Sequence, residues 1–146
     1  MTVKQISVFL ENKPGQLSEF TKLLNQNDID MRALLLADAE DFGILRIIVD
    51  DAYRAACVLK DAGYVFSITP VLAVEIPDQP GSLVSILDLL GQNGINLEYS
   101  YAFITRKKDL AYLIFRVADN EQAIAVLEKS GIRLVCQSEL SELFGK

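Results

Sequence analysis

The stretch DQPGSLVSILDLLGQNGINL, Asp78–Leu97, decides how the chain is read, because NKPGQLSEFTKLLNQNDIDM, Asn12–Met31, repeats its pattern. At the spacing that carries Gly15 onto Gly81, the two share Pro14/Pro80, Leu17/Leu83, Leu23/Leu89, Leu24/Leu90, Gln26/Gln92, Asn27/Asn93 and Ile29/Ile95. A repeat of this length is the mark of a duplicated supersecondary unit. Each copy reads as a turn that starts a helix, an amphipathic helix, and a second turn that releases a strand.

Working outward, Ile6, Val8 and Leu10 alternate with Ser7 and Phe9, the period of a half-buried strand ahead of the Asn12–Gly15 turn. Asn is a good capping residue and Pro suits a first helical turn, so the helix is expected to start at Pro14 or Gly15. Its residues Leu17, Phe20, Leu23 and Leu24 share one face, which must pack on a sheet. Two apolar strands follow, 31–37 and 43–49. Asp50 and Asp51 stand ready to cap a second helix, in which Ala52, Ala55, Ala56, Leu59 and Ala62 recur at three- and four-residue spacing. Gly63 ends it and Val65–Ile68 gives a fourth strand. Strand, helix, strand, strand, helix, strand is the split βαβ arrangement, with both helices on one face of a four-stranded antiparallel sheet.

Pro70 is the only punctuation before the pattern restarts, so a short, stiff link is expected between the halves. The second half then gives Leu72, Val74 and Ile76 facing inward, the Asp78 stretch, middle strands at 97–104 and 110–117, and a helix capped by Asp119 and ended by Gly131. Two residues are added between its middle strands. That tip is basic, Thr105–Asp109, where the first half's, Ala37–Asp41, is acidic. The contrast reads either as solvated turn charge or as a device that aligns halves or chains.

Composition limits the chemistry. A net charge of −6 over 146 residues disfavours nucleic acid as a partner, and there is no His to serve as a neutral-pH base or metal ligand. Cys57 and Cys136 form no CxxC pair and are expected to be buried free thiols. No apolar run approaches membrane-spanning length and the N-terminus lacks a signal-peptide core, so a cytoplasmic protein is expected. No nucleophile, phosphate-loop or zinc motif is present, and Asp38, Glu40, Asp41, Asp50 and Asp51 fall where turns and caps want acids. No catalytic residue, metal or cofactor is assigned.

The informative group is the turn before each repeated helix. A helix start carries unpaired backbone N–H groups and about half a positive charge, and glycine admits close approach to them. Gly15, Gln16 and Leu17, like Gly81, Ser82 and Leu83, therefore frame a place for a carboxylate, with Asn12 or Asp78 beside it to meet an ammonium group. That combination suits an amino acid zwitterion. The same residues also serve simply to turn the chain.

Asn12-x-Pro14-Gly15-x-Leu17 with Asn27-x-Ile29-Asp30, and Asp78-x-Pro80-Gly81-x-Leu83 with Asn93-Gly94-Ile95-Asn96, resemble the ACT domain, an amino-acid-sensing module of metabolic enzymes. The whole chain resembles a stand-alone tandem ACT protein. The resemblance implies an α+β fold of two tandem βαββαβ ferredoxin-like domains, 1–69 and 70–146, whose antiparallel sheets pair side by side. It also implies a non-enzymatic regulatory protein, a homodimer, holding an amino acid at the ACT–ACT interface by the first strand-to-helix loop. That maps the site onto Asn12, Gly15, Gln16, Leu17, Asp78, Gln79, Gly81, Ser82 and Leu83. The opening of the next strand adds Arg32 in one half and Glu98 and Ser100 in the other. The second half offers more polar groups than the first, where Lys13 and Leu34 are less typical. With no catalytic domain attached, regulation would pass through a partner such as a metabolic enzyme acting in trans, or the chain would act as a ligand reservoir. No nucleic acid or membrane partner is implied. The alternative is an interaction module without a ligand. Two other users of this fold lack their key groups here: an acylphosphatase-like Arg in the first loop, and exposed aromatics in a basic stretch for RNA.

Overall fold

Phe20 and Leu24 lie one helical turn apart and are buried, with Leu17 and Leu23 packed half-buried beside them; this stripe fixes helix α1, Gln16–Gln26, against the sheet behind it. The same logic places α2, Ala52–Asp61, through Ala52, Ala55 and Leu59. Both pack on Ile6, Val8 and Leu10 of β1, Val3–Glu11, and on Leu45, Ile47 and Val49 of β3, Phe42–Val49. Strand β2, Met31–Ala39, pairs antiparallel with β3, and β3 with β1. The computed structural model describes residues 1–39, 41–105 and 107–143; Glu40 and Arg106, at the two charged hairpin tips, lie outside them.

The chain divides into two compact units, Lys4–Thr69 and the residues from Pro70 onward with Met1–Val3. In the second, Leu72, Val74 and Ile76 form the inward face of β4, which runs as one strand from Phe66 to Pro77. Helices α3, Ser82–Gln92, and α4, Asn120–Lys129, cover that face through Ile86, Leu90, Ala123 and Leu127. Strand β6, Leu110–Arg116, lies between β4 and β5, Tyr99–Ala102, while the short β7, Arg133–Val135, pairs with the other side of β4. The strand order β7-β4-β6-β5 repeats the first unit's β4-β1-β3-β2. A 3-10 turn, Gln137–Glu139, and a single helical turn, α5, Leu140–Leu143, follow β7; the sequence reading assigned nothing there.

Four readings need correction. Pro70 does not break the chain into a separate link: it lies within β4, where fixed φ suits an extended strand and its carbonyl accepts from Asn120 Nδ2 at 3.1 Å. Asn12 does not cap α1, whose start has no side-chain cap at all. Cys57 is exposed and Cys136 half-buried, because Cys57 falls on the face of α2 opposite Ala55 and Leu59. The middle strand of the second half is also shorter than expected, four residues.

The repeated Asn has a clear job. Asn27 and Asn93 each donate from Nδ2 to the carbonyl four residues back, Leu23 and Leu89, at 2.8 Å, satisfying a terminal helix acceptor. The next residue must then turn left-handed, and the two copies solve this with Asp28 at φ 53° and Gly94 at φ 69°.

The Asp caps are as expected at α2 and α4. Asp51 accepts from the Arg54 N–H at 3.0 Å and Asp119 from the Gln122 N–H at 3.1 Å. Asp119→Ala should cost about 1 kcal/mol. The midpoint of urea unfolding checks it, and Asp119→Asn should lose far less because its amide oxygen still accepts.

Candidate functional site

Helices α1 and α3 begin differently from α2 and α4. Their N-caps are Gly15 and Gly81, at φ 84° and 90°, and neither start has a side-chain cap. The left-handed turn is what forces glycine; the first N–H of each helix, Gln16 or Ser82, donates to the Lys13 or Gln79 carbonyl at 3.3 Å, and the glycine N-cap offers the next N–H groups no side-chain acceptor. No atom lies within 4 Å of a Cβ built at either glycine, so open space lies over both turns.

In the second unit that space is the edge of a groove of about 820 Å³. One wall is α3 from Gly81 and Ser82 to Leu89. The others are the end of β4, Glu75–Pro77, and the turn from α4 into β7, Ser130–Arg133. The groove lies where β7 begins opposite Glu75: its first pair is Glu75↔Arg133, so β4 runs on to Pro77 without a β7 partner. Its size falls within the roughly 300–1,000 Å³ of small-molecule sites.

Three charged or polar side chains meet on the sheet face opposite α3 and α4, since Val74, Ile76 and Leu134 face those helices and Glu75 and Arg133 alternate with them. Tyr112 donates from its hydroxyl to Glu75 Oε2 at 2.6 Å, and Arg133 Nη1 donates to the same oxygen at 2.7 Å. Arg133 Nη2 reaches Glu139 Oε1 at 3.3 Å, and Glu139 Oε2 accepts from the Cys136 N–H at 3.2 Å. Burial, and then the Glu75 carboxylate, pushes the Tyr112 hydroxyl above the usual tyrosine range. A pKa raised on folding contributes stability that is complete below the unfolded value and lost as pH climbs past it, above about 10. Tyr112→Phe should therefore flatten the alkaline loss of stability and cost about 1.5–3 kcal/mol near neutral pH, the range for a hydrogen bond to a charged group. Urea unfolding of both proteins at neutral and alkaline pH checks both.

The first unit departs from this plan. Space beside Asn12, Gln16 and Leu17 amounts to about 70 Å³, and a separate crevice of about 450 Å³ lies between α1 and the Ala62–Tyr64 turn. By the repeat, Phe20 and Tyr64 stand where the second unit has Ile86 and Ile132. Their rings meet edge to face with centroids 5.3 Å apart, side-chain bulk where the second unit has two isoleucines. The equivalents of Glu75, Tyr112 and Arg133 are Phe9, Ile44 and Val65, so the first unit lacks that polar cluster.

Of the residues singled out from sequence, Gln79, Gly81 and Ser82 line the large groove, and Asn12, Gln16 and Leu17 the small one. Gly15, Arg32, Asp78, Leu83, Glu98 and Ser100 line neither. Arg32 is buried, with Nε 3.4 Å from Asp30 Oδ2, and Glu98 pairs with Arg116 at 3.6 Å. Asp78 is exposed and its N–H donates to the Asp109 carbonyl at 2.9 Å; Leu83 is exposed and Ser100 half-buried in β5. The reading missed Glu75, Ser85 and Arg133. The signal for Glu75 was available: the repeat puts a carboxylate where the first half has Phe9.

The profile of the ACT domain pair matches residues 1–144. The chain belongs to the ACT domain pair family. It is similar to protein BT0572 from Bacteroides thetaiotaomicron, at 38% identity and a TM-score of 0.90, over 98% of each chain. The regulatory subunit of aspartate kinase from Thermus thermophilus, in its ligand-free form, shares the fold at 16% identity and a TM-score of 0.62, over 86% of this chain and 90% of that one. Aspartokinase alpha and beta subunits share it at 17% identity and a TM-score of 0.57, over 88% and 91%. No curated protein matches the chain. The fold is mixed α+β with antiparallel sheet. Among the described residues no helix is long and apolar enough to cross a membrane, and no cluster of potential metal ligands occurs.

Proposed function

We propose that this ACT domain pair is a non-catalytic regulatory protein that binds an amino acid in the groove of its second unit. The observation that carries the reading is the uncapped, glycine-led start of α3 at the edge of a groove of amino acid size. The ligand's α-carboxylate would lie against the first N–H groups of α3 beside Ser82, where the helix dipole favours negative charge. Gln79 and Asp78 are the nearby groups for its ammonium. Gly15, Gln16 and Leu17 would play the same part weakly or not at all, since about 70 Å³ beside them is too small.

In this reading each half is its own ACT domain, 1–69 and 70–146, in a cytoplasmic homodimer. The ligand is held where ACT domains of paired chains meet, with Leu83 contributing from the start of α3 and Arg32, Glu98 and Ser100 from the opening of the next strand. Ligand binding would favour one arrangement of the dimer to the extent of its differential affinity for the two. A partner in trans would be a metabolic enzyme. The fold shared with the regulatory subunit of an aspartate kinase supports that division of labour.

A thermal-shift screen of the common amino acids, followed by calorimetry on any that raise the midpoint, tests the proposal. Binding of none at millimolar concentration would leave a doubled interaction module. Light scattering with and without the ligand tests the dimer.

A further inference from the structure

We propose that the groove of the second unit selects an amino acid with a large apolar side chain, because its walls beyond the α3 start are aliphatic and uncharged. This rests on the amino acid site proposed above and names the class of ligand that site takes.

Glu75 and Arg133 border the groove, but their side chains lie on the other face of the sheet, bonded to each other and, through Glu75, to Tyr112. Every other lining residue is uncharged. The side chains that pack toward α3 and α4 here are aliphatic. Ile76 and Ile86 are nearly buried, while Leu89 and Ile132 are half-buried against the same core and still border the groove. Polar lining is marginal by comparison. Gln79, Ser85 and Ser130 are exposed, and the Ser85 hydroxyl already donates to the Gly81 carbonyl at 3.5 Å.

Helix geometry sets the length. At 1.5 Å per residue, Ile86 lies about 6 Å along α3 from Ser82 and Leu89 about 10 Å. With its α-carboxylate at the α3 start, a ligand of leucine size runs alongside Ile86, and a longer one reaches toward Leu89 and Ile132. Alanine stops short and removes little apolar surface from water. A charged side chain in the same place loses its hydration with no counter-ion in return, and an amide loses hydrogen bonds. The repeat does not impose this wall. In the first unit Glu19 stands where the second has Ser85, and Tyr64 where it has Ile132; both line the crevice beside α1 with Lys22.

Calorimetry on the full chain, by competition where binding is weak, compares L-leucine, L-methionine and L-phenylalanine with L-alanine, L-glutamine, L-glutamate and L-lysine. At least one of the first three should bind about tenfold or more tighter than each of the other four, the scale set by a single methylene in an apolar pocket. Ile132→Thr keeps a branched side chain but adds a hydroxyl to the wall. It should cut the ratio of the preferred ligand to alanine about threefold or more. Ile132→Val has nearly the volume of that variant without the hydroxyl and should cut the ratio less. Each ratio is taken within one variant, so a shared loss of stability cancels. Equal or tighter binding of alanine, glutamine, glutamate or lysine overturns the inference and leaves the site standing. A ratio unchanged in Ile132→Thr, or cut equally in Ile132→Val, overturns it too, because the wall's polarity would then not be what the side chain meets. Failure of every amino acid in the wider screen removes the site, and this inference with it.

Discussion

Gly81→Asp is expected to abolish amino acid binding while the chain still folds. At φ 90° Gly81 is left-handed, where a side chain costs about 1–2 kcal/mol and Asp is among the residues that tolerate it best. No atom lies within 4 Å of the new Cβ, so no clash is added. The new carboxylate stands at the N-cap of α3, where it competes for the N–H groups proposed to hold the ligand. Two charge-assisted hydrogen bonds lost at about 1.5–3 kcal/mol each correspond to a drop in affinity of at least a hundredfold. Gly81→Ala is the control, because it carries the same backbone strain without the carboxylate. Calorimetry should show the alanine variant binding far better than the aspartate one. Equal losses would assign the effect to strain, and unchanged affinity in Gly81→Asp would place the site elsewhere. Gly15→Asp, in the matching turn of the first unit, should leave binding unaltered.

Phe20→Ala should be the more damaging change to stability, lowering it by about 3–5 kcal/mol. The ring is fully buried in the first unit's core, and its edge-to-face contact with Tyr64 adds about 0.5–1.5 kcal/mol beyond area. A loss of this size is a large share of the usual 5–15 kcal/mol of a small protein, so the urea midpoint should fall steeply. Phe20→Ile copies Ile86 of the other unit and should lose much less, because it refills most of the volume. A small loss in Phe20→Ala would mean that α1 settles inward and closes the cavity.

The elements were legible wherever the signal was local. Alternation in Ile6–Leu10, helical spacing of Phe20 and Leu24, and the caps Asp51 and Asp119 all act within a turn or a strand, and each forms as read. The repeated Asn27 and Asn93 were visible as a pattern, and the structure supplies the reason in a bond to the carbonyl four residues back. Pro70 misled because proline punctuates most sequences, yet a strand accepts it where no ladder N–H is required. Cys57 misled because cysteine's general tendency to be buried says nothing about which helical face it takes.

The candidate site was legible only in part. Gln79, Gly81 and Ser82 follow from the Pro-Gly turn, since helix-start chemistry is set by neighbours in the chain. The polar cluster on the other sheet face comes from afar: Tyr112 reaches Glu75 across 37 residues and Arg133 reaches it across 58. No period or motif links those positions.

By itself, then, the sequence determined the duplication, the order of strands and helices and the family, because turn chemistry and hydrophobic period are short-range properties that a repeat displays twice. The residues already made the second copy the more polar of the two; only the tertiary structure showed a groove of about 820 Å³ there against about 70 Å³ beside Asn12. That depends on where β7 starts along β4 and on two aromatic rings standing where isoleucines stand in the other copy. Those are matters of packing between distant segments, which residue spacing alone does not encode.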